Sequence, residues 1–152
     1  MLTRYIEGVI ACVDHPVILI SDDDPLVTSA LDRQATRAGL WVVSDHHSQV
    51  HAMAKVLQPT VIILDLHQSV HGITLLDQLK GDPETRDVRV IVLSANADDV
   101  TRRLCLEKGA AEFVTKPFDT LFVTRVAGLA GSVSRERMTQ RKGPVRRREP
   151  SA

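Results

Sequence analysis

Aromatic residues are scarce: three Phe, one Tyr and one Trp in 152 residues. A core of stacked rings is excluded, so the interior must be built from Val, Ile, Leu and Ala. Cysteine is nearly absent as well. Cys12 and Cys105 are too few and too far apart for a disulfide framework or a thiolate metal site, which suits free thiols in a reducing compartment. No stretch approaches the ~18–20 consecutive apolar residues of a membrane span. Val9-Ile-Ala-Cys12 loosely matches a lipoprotein cleavage site, but the apolar run before it is short and broken by Glu7, a poor signal peptide. These absences predict a cytoplasmic protein with no membrane partner. Net charge is missing too, with 19 Lys/Arg against 19 Asp/Glu. That balance hides a division. Residues 132–152 hold seven basic groups against Glu136 and Glu149, a net of +5, which leaves 12 basic and 17 acidic groups elsewhere, a net of −5.

What is present is a regular alternation of strand and helix signals. Val17–Ser21, Leu40–Ser44, Val61–Asp65, Val88–Ser94 and the shorter Glu112–Thr115 read as strands, several of them apolar on both faces. Asp24-Pro25 starts a helix by placing an acid at the cap and Pro at the first helical position. Leu26, Ala30, Leu31, Ala35 and Ala38 then run at helical spacing to Gly39. A second helix is expected over residues 48–57, ended by Pro59, and a third from Gly72 until Gly81-Asp-Pro83 breaks it. Asp98 caps a fourth, through Lys108, and Asp119 a fifth carrying Leu121, Val126 and Leu129 toward Val133. Five strand–helix units with short connections predict an α/β fold, a parallel sheet covered by helices on both faces. The length fits one domain. Its expected bounds are 16–131, after an extension over 1–15 and before a basic tail over 132–152 whose composition predicts disorder.

The candidate chemistry gathers at one edge of that sheet. Asp22 and Asp23 follow the first strand, Asp65 ends the third, Ser94 ends the fourth, and Lys116 follows the fifth. Open α/β sheets bind ligands at this carboxyl edge. Two like charges ~4 Å apart at an effective dielectric of ~20 repel by on the order of 4 kcal/mol. Lys116 supplies one compensating charge, and a divalent cation the rest. An all-oxygen site suits Mg²⁺ better than zinc. Asp65 is then placed to act as a nucleophile toward phosphorus and form an acyl phosphate.

These pieces resemble a known family. Ile18-Leu-Ile-Ser-Asp22-Asp23-Asp24-Pro25, Val61-Ile-Ile-Leu-Asp65-Leu, Val90-Ile-Val-Leu-Ser94-Ala and Gly109-Ala-Ala-Glu-Phe113-Val-Thr-Lys116-Pro117-Phe118 look like the receiver domain of a two-component response regulator, the CheY-like superfamily. The resemblance implies a flavodoxin-like, doubly wound (βα)5 sheet of strand order 2-1-3-4-5. It implies that Asp65 is the phosphoacceptor and that Asp22, Asp23, Asp65 and the backbone carbonyl of His67 hold Mg²⁺. It further implies that Lys116 contacts the phosphoryl group, that its bond to Pro117 is cis, and that Ser94 with Phe113 forms the switch pair. The implied partners are a sensor histidine kinase or phosphotransfer protein and a downstream protein on the face of the fourth helix, fifth strand and fifth helix. The domain would be a monomer or weak homodimer and, with no output domain expected after it, would work by protein–protein contact or phosphate relay. One place departs from the family. Its members carry Pro four residues after the acceptor and Gly eight after; here Ser69 stands at the first position and Gly72 comes seven after, with His67 and His71 between.

Plainer readings stand beside these. Asp22-Asp-Asp24 can be a capping run, and Asp65 a helix cap. His46, His47 and His51 read as solvated polar residues, since no Cys or acid joins them at ligand spacing, and Cys105 reads as a buried or half-buried small apolar residue. The basic tail reads as a solvated end, the one place where nucleic acid could bind. Two other functions compete with the switch. One is a receiver-shaped interaction scaffold that no longer takes phosphate. The other is a Mg-dependent phosphohydrolase, disfavoured because His67 stands where such enzymes need a second acid.

Overall fold

The computed structural model describes residues 16–45, 49–66, 72–96, 98–119 and 121–130. Five strands, β1 (Val17–Ser21), β2 (Trp41–Asp45), β3 (Val61–Asp65), β4 (Arg89–Ser94) and β5 (Glu112–Thr115), form one parallel sheet in the order β2-β1-β3-β4-β5. The helices are α1 (Pro25–Arg37), α2 (Val50–Leu57), α3 (Gly72–Gly81), α4 (Asp99–Glu107) and α5, over 121–130.

Alternation along the central strands sends residues to two separate cores. Leu19, Ile62, Leu64, Val90 and Val92 face α2, α3 and α4 through Val50, Ala54, Leu75, Leu76, Leu79 and Cys105. Ile18, Ile20, Val61, Ile63, Ile91 and Leu93 face α1 and α5 through Leu31, Ala35, Phe122, Val123 and Val126. The apolar runs are therefore continuous because each strand is covered on both sides. The expected scarcity of rings holds in both cores: aliphatic side chains fill them around Phe113 in one and Phe122 in the other.

Local signals act where expected. Asp24 accepts a hydrogen bond from the Leu26 N–H at 2.9 Å and caps α1, and Asp98 accepts from the N–H groups of Val100 and Thr101 and caps α4. Asp119 accepts from the Phe122 N–H at 2.9 Å in the first turn of α5. Gly39 and Gly109 end α1 and α4 with positive φ. The end of α2 differs: Gln58, at φ 47°, takes the left-handed position ahead of Pro59. β2 and β4 each begin one residue later than their apolar runs, because the parallel ladder starts with Val17 opposite Trp41 and Val61 opposite Arg89. Leu40 and Val88 remain buried just outside it.

Among the described residues no helix is long and apolar enough to cross a membrane. The extension over 1–15, the tail over 132–152, Cys12, His46, His47, His67, Ser69, His71 and Val133 lie outside the described residues.

Candidate functional site

The chain leaves β1 toward β2 on one side and later returns to build β3 on the other, so the order reverses between β1 and β3. Ligands of open sheets bind at such a point, beyond the carboxyl ends of the strands. The register pairs Ser21 with Leu64 there. The next residue on each strand is an acid, Asp22 and Asp65, and both are buried, at 1% and 6% exposure. Asp23 is exposed.

Lys116 joins the two buried acids. Its Nζ lies 2.7 Å from Asp22 Oδ2 and 3.5 Å from Asp65 Oδ1. The backbone places it: Lys116 N–H donates to the Ser94 carbonyl at 2.8 Å, which continues the β4–β5 pairing by one residue. The Lys116–Pro117 peptide is cis. Asp22 is held from its other oxygen, Oδ1, which accepts from the Asp24 N–H at 2.8 Å. Ser94 is fully buried, and its Oγ accepts from the Asn96 N–H at 3.2 Å. Phe113 is buried on the α4 side of the sheet. Chain-distant residues thus converge on one sheet edge, with Ser94 beside Lys116 through the backbone.

One glycine is required for this arrangement. A Cβ added to Gly72 would stand 2.7 Å from Leu66 Cα and 2.9 Å from the Asp65 carbonyl oxygen. Both are backbone atoms and cannot swing aside, so the start of α3 packs directly on the end of β3. The sequence shows Gly72 only as a displaced family glycine; the contact it permits needed the fold.

A receiver-domain model, described as the response regulator receiver domain, matches residues 18–124. The chain belongs to the response regulator receiver domain family. This receiver is 35% identical over 106 residues to the DNA-binding dual master transcriptional regulator RpaA of Synechocystis sp., an alignment covering 68% of this chain and 44% of that protein. It spans less than half the length of that relative and of the similar KdpE and PhoB regulators. Among solved structures, it superposes on the signal receiver domain of a Luxo repressor protein from Vibrio parahaemolyticus with TM-score 0.72 at 20% identity, covering 82% of this chain and 97% of that one. It also superposes on a Burkholderia pseudomallei response regulator holding a phosphorylated aspartic acid, a calcium ion and citrate, with TM-score 0.66 at 25% identity, covering 82% of this chain and 74% of that one.

The receiver's buried acids fit a hard divalent cation in kind. They are oxygen donors gathered around the Lys116 ammonium, with the exposed Asp23 at the rim. Among the described residues no three His, Cys, Asp or Glu side chains stand together at metal-holding distance. Zinc-type sites need such a cage. Mg²⁺ does not, because it takes one or two carboxylates and keeps several waters.

A second charge cluster was not foreseen. His51 of α2 is not merely solvated: its Nε2 stands 2.8 Å from Asp82 Oδ2, and Lys55 Nζ lies 2.9 Å from the same oxygen and 3.1 Å from Glu84. The Glu84 N–H donates to Asp82 Oδ1 at 2.9 Å. That backbone bond and Lys55 hold the Asp82 carboxyl down at about 2. The Asp82 carboxylate, followed by that of Glu84, raises the Lys55 ammonium. Asp82 lies 31 positions from His51, so no local spacing could have announced the pair. Cys105 is buried, and burial pushes its thiol up, which makes it inert packing.

Proposed function

We propose that this receiver accepts a phosphoryl group on Asp65 from a sensor histidine kinase or a phosphotransfer protein and uses it to change a protein-binding face. The observation that carries this reading is the Lys116 ammonium shared between the buried carboxylates of Asp22 and Asp65 at the switch point of the sheet. Two buried carboxylates that share an ammonium at a sheet edge offer oxygen donors to a hard cation and a positive group to an incoming phosphoryl.

In the step itself, a carboxylate oxygen of Asp65 bonds to phosphorus as the donor's phosphorus–nitrogen bond breaks, and the donor imidazole keeps the electron pair. Lys116 follows the new charge, moving from its pair with Asp65 to a phosphoryl oxygen. The Ser94 hydroxyl, one backbone hydrogen bond from Lys116, donates to another. Mg²⁺ would be held by Asp22 and Asp65, with Asp23 and the His67 carbonyl completing the set, and would neutralise charge on the transferring group. The calcium ion and phosphorylated aspartic acid of the Burkholderia pseudomallei regulator support this assignment. The reading makes the protein a switch and not a turnover enzyme. It acts in the cytoplasm, as a monomer or weak homodimer, and presents the face of α4, β5 and α5 to a downstream protein.

Incubation with acetyl phosphate and Mg²⁺ followed by mass spectrometry tests the acceptor. A phosphoryl adduct is expected on the natural chain and none on Asp65→Asn; an adduct that persists in the variant refutes the assignment. Thermal melting tests the cation. A hundredfold excess of Mg²⁺ over its dissociation constant should stabilise the domain by about 2.7 kcal/mol, and Asp65→Asn should weaken that gain. The changed spacing after Asp65, with Ser69 four residues on and Gly72 seven, motivates one other reading, an interaction scaffold independent of phosphate. A melting temperature flat across millimolar Mg²⁺, with no adduct, selects that scaffold.

A further inference from the structure

Arg102, in the first turn of α4, makes two contacts with one residue of β5. Its Nη2 donates to the Phe113 carbonyl at 3.2 Å, and its guanidinium carbon lies 5.6 Å from the centroid of the Phe113 ring. The arginine is exposed, whereas the ring is 4% exposed and packs in the core that holds Val90, Val92 and Cys105. Phe113 pairs with Val92 and Thr115 pairs with Ser94, so Phe113 and Ser94 lie on the same face of the sheet, two steps apart.

The contact also joins two segments that are separate in the chain. The loop after Ser94 leads to Asp98, which caps α4, and the Arg102 N–H donates to the Asp98 carbonyl at 3.0 Å. The Arg102 side chain then spans from this turn to β5. A shift of the turn against the strand must break the carbonyl bond and uncover the ring together. Phenylalanine carries no hydroxyl, so packing and the cation over its face are what hold it. A guanidinium can offer its plane to a ring and its N–H edge to a carbonyl at once, which an ammonium cannot do.

We propose that Arg102 is the positioning residue of the switch: it pins Phe113 in the buried place and sets how often the ring leaves it before phosphorylation. The link to signalling rests on Asp65 being the acceptor, but the pin itself belongs to the unphosphorylated protein. Fluorophenylalanine labelling of the full chain gives three reporter positions, Phe113, Phe118 and Phe122, and Phe113→Leu assigns the first. In Arg102→Ala the Phe113 resonance should move toward a second state populated roughly tenfold more than in the natural chain, with Arg102→Lys in between. Phe118 and Phe122 should stay in place, and acetyl phosphate with Mg²⁺ should move the Phe113 resonance less in Arg102→Ala than in the natural chain. A Phe113 resonance unchanged by Arg102→Ala overturns the proposal. So does an equal movement of all three, which marks general loosening. Failure of the acceptor assignment shows elsewhere, as no phosphoryl adduct on the natural chain, and leaves the comparison before phosphorylation intact.

Discussion

The site at the switch point and the cluster on α2 use the same residue types under opposite conditions. At the switch point two acids, Asp22 and Asp65, with side chains 1% and 8% exposed, share Lys116. On the flank one acid, Asp82, gathers Lys55, His51 and a backbone N–H, with the Lys55 and Glu84 side chains 38% and 66% exposed. The flank cluster gathers several donors on one acid and its Lys55 and Glu84 ends reach water, so its pairs tie α2 to the turn after α3 with modest gain. At the site both acids are nearly buried around Lys116, where breaking a charge pair is expensive. Burial of the acids themselves is what separates the switch-point group from the surface staple.

Three changes break or sharpen that contrast. The largest effect is expected for Lys116→Met, which removes the ammonium that the two buried acids share. At neutral pH without Mg²⁺, denaturant unfolding should show a loss of about 3 kcal/mol, the low end for breaking a buried pair, because Lys116 keeps 19% exposure. Next is Gly72→Ala, whose Cβ meets the backbone of Asp65 and Leu66. The chain should lose about 2 kcal/mol as for other overpacked sites, and acetyl phosphate should label Asp65 more slowly by mass spectrometry.

The smallest effect belongs to Asp82→Asn, and its pH dependence is the sharper readout. The Asp82 carboxyl lies at about 2 in the folded chain, below its ordinary 3.8. The folded state therefore favours the ionised form, and the stabilisation is present above about 4 and lost as pH falls toward about 2. The stability difference between the natural chain and Asp82→Asn should shrink over that range in denaturant unfolding. A difference that is flat between pH 5 and pH 2 breaks the account of the flank cluster.

Much of the architecture was legible in the residues. Apolar runs at Val17, Val61 and Val90 announced buried strands because a strand covered on both sides leaves no polar position. Asp24, Asp98 and Asp119 announced helix starts because a cap is a local event completed within three residues. The convergence of Asp22, Asp65 and Lys116 was legible only as repeated strand ends. Which acid the lysine would touch, and that Asp23 would face outward, needed the register of β1 against β3. The pairing of His51 with Asp82 and of Arg102 with Phe113 left no trace, since nothing in local spacing links residues that meet across separate elements.

By itself the sequence determined the strands, the caps, the alternation and the order of the acids, because each depends on neighbours within a turn or a pleat. Tertiary structure alone decided which charges are dry, which are shared and which ring an arginine covers. Those follow from packing helices onto two faces of one sheet, which sets distances and water access between residues the chain keeps far apart.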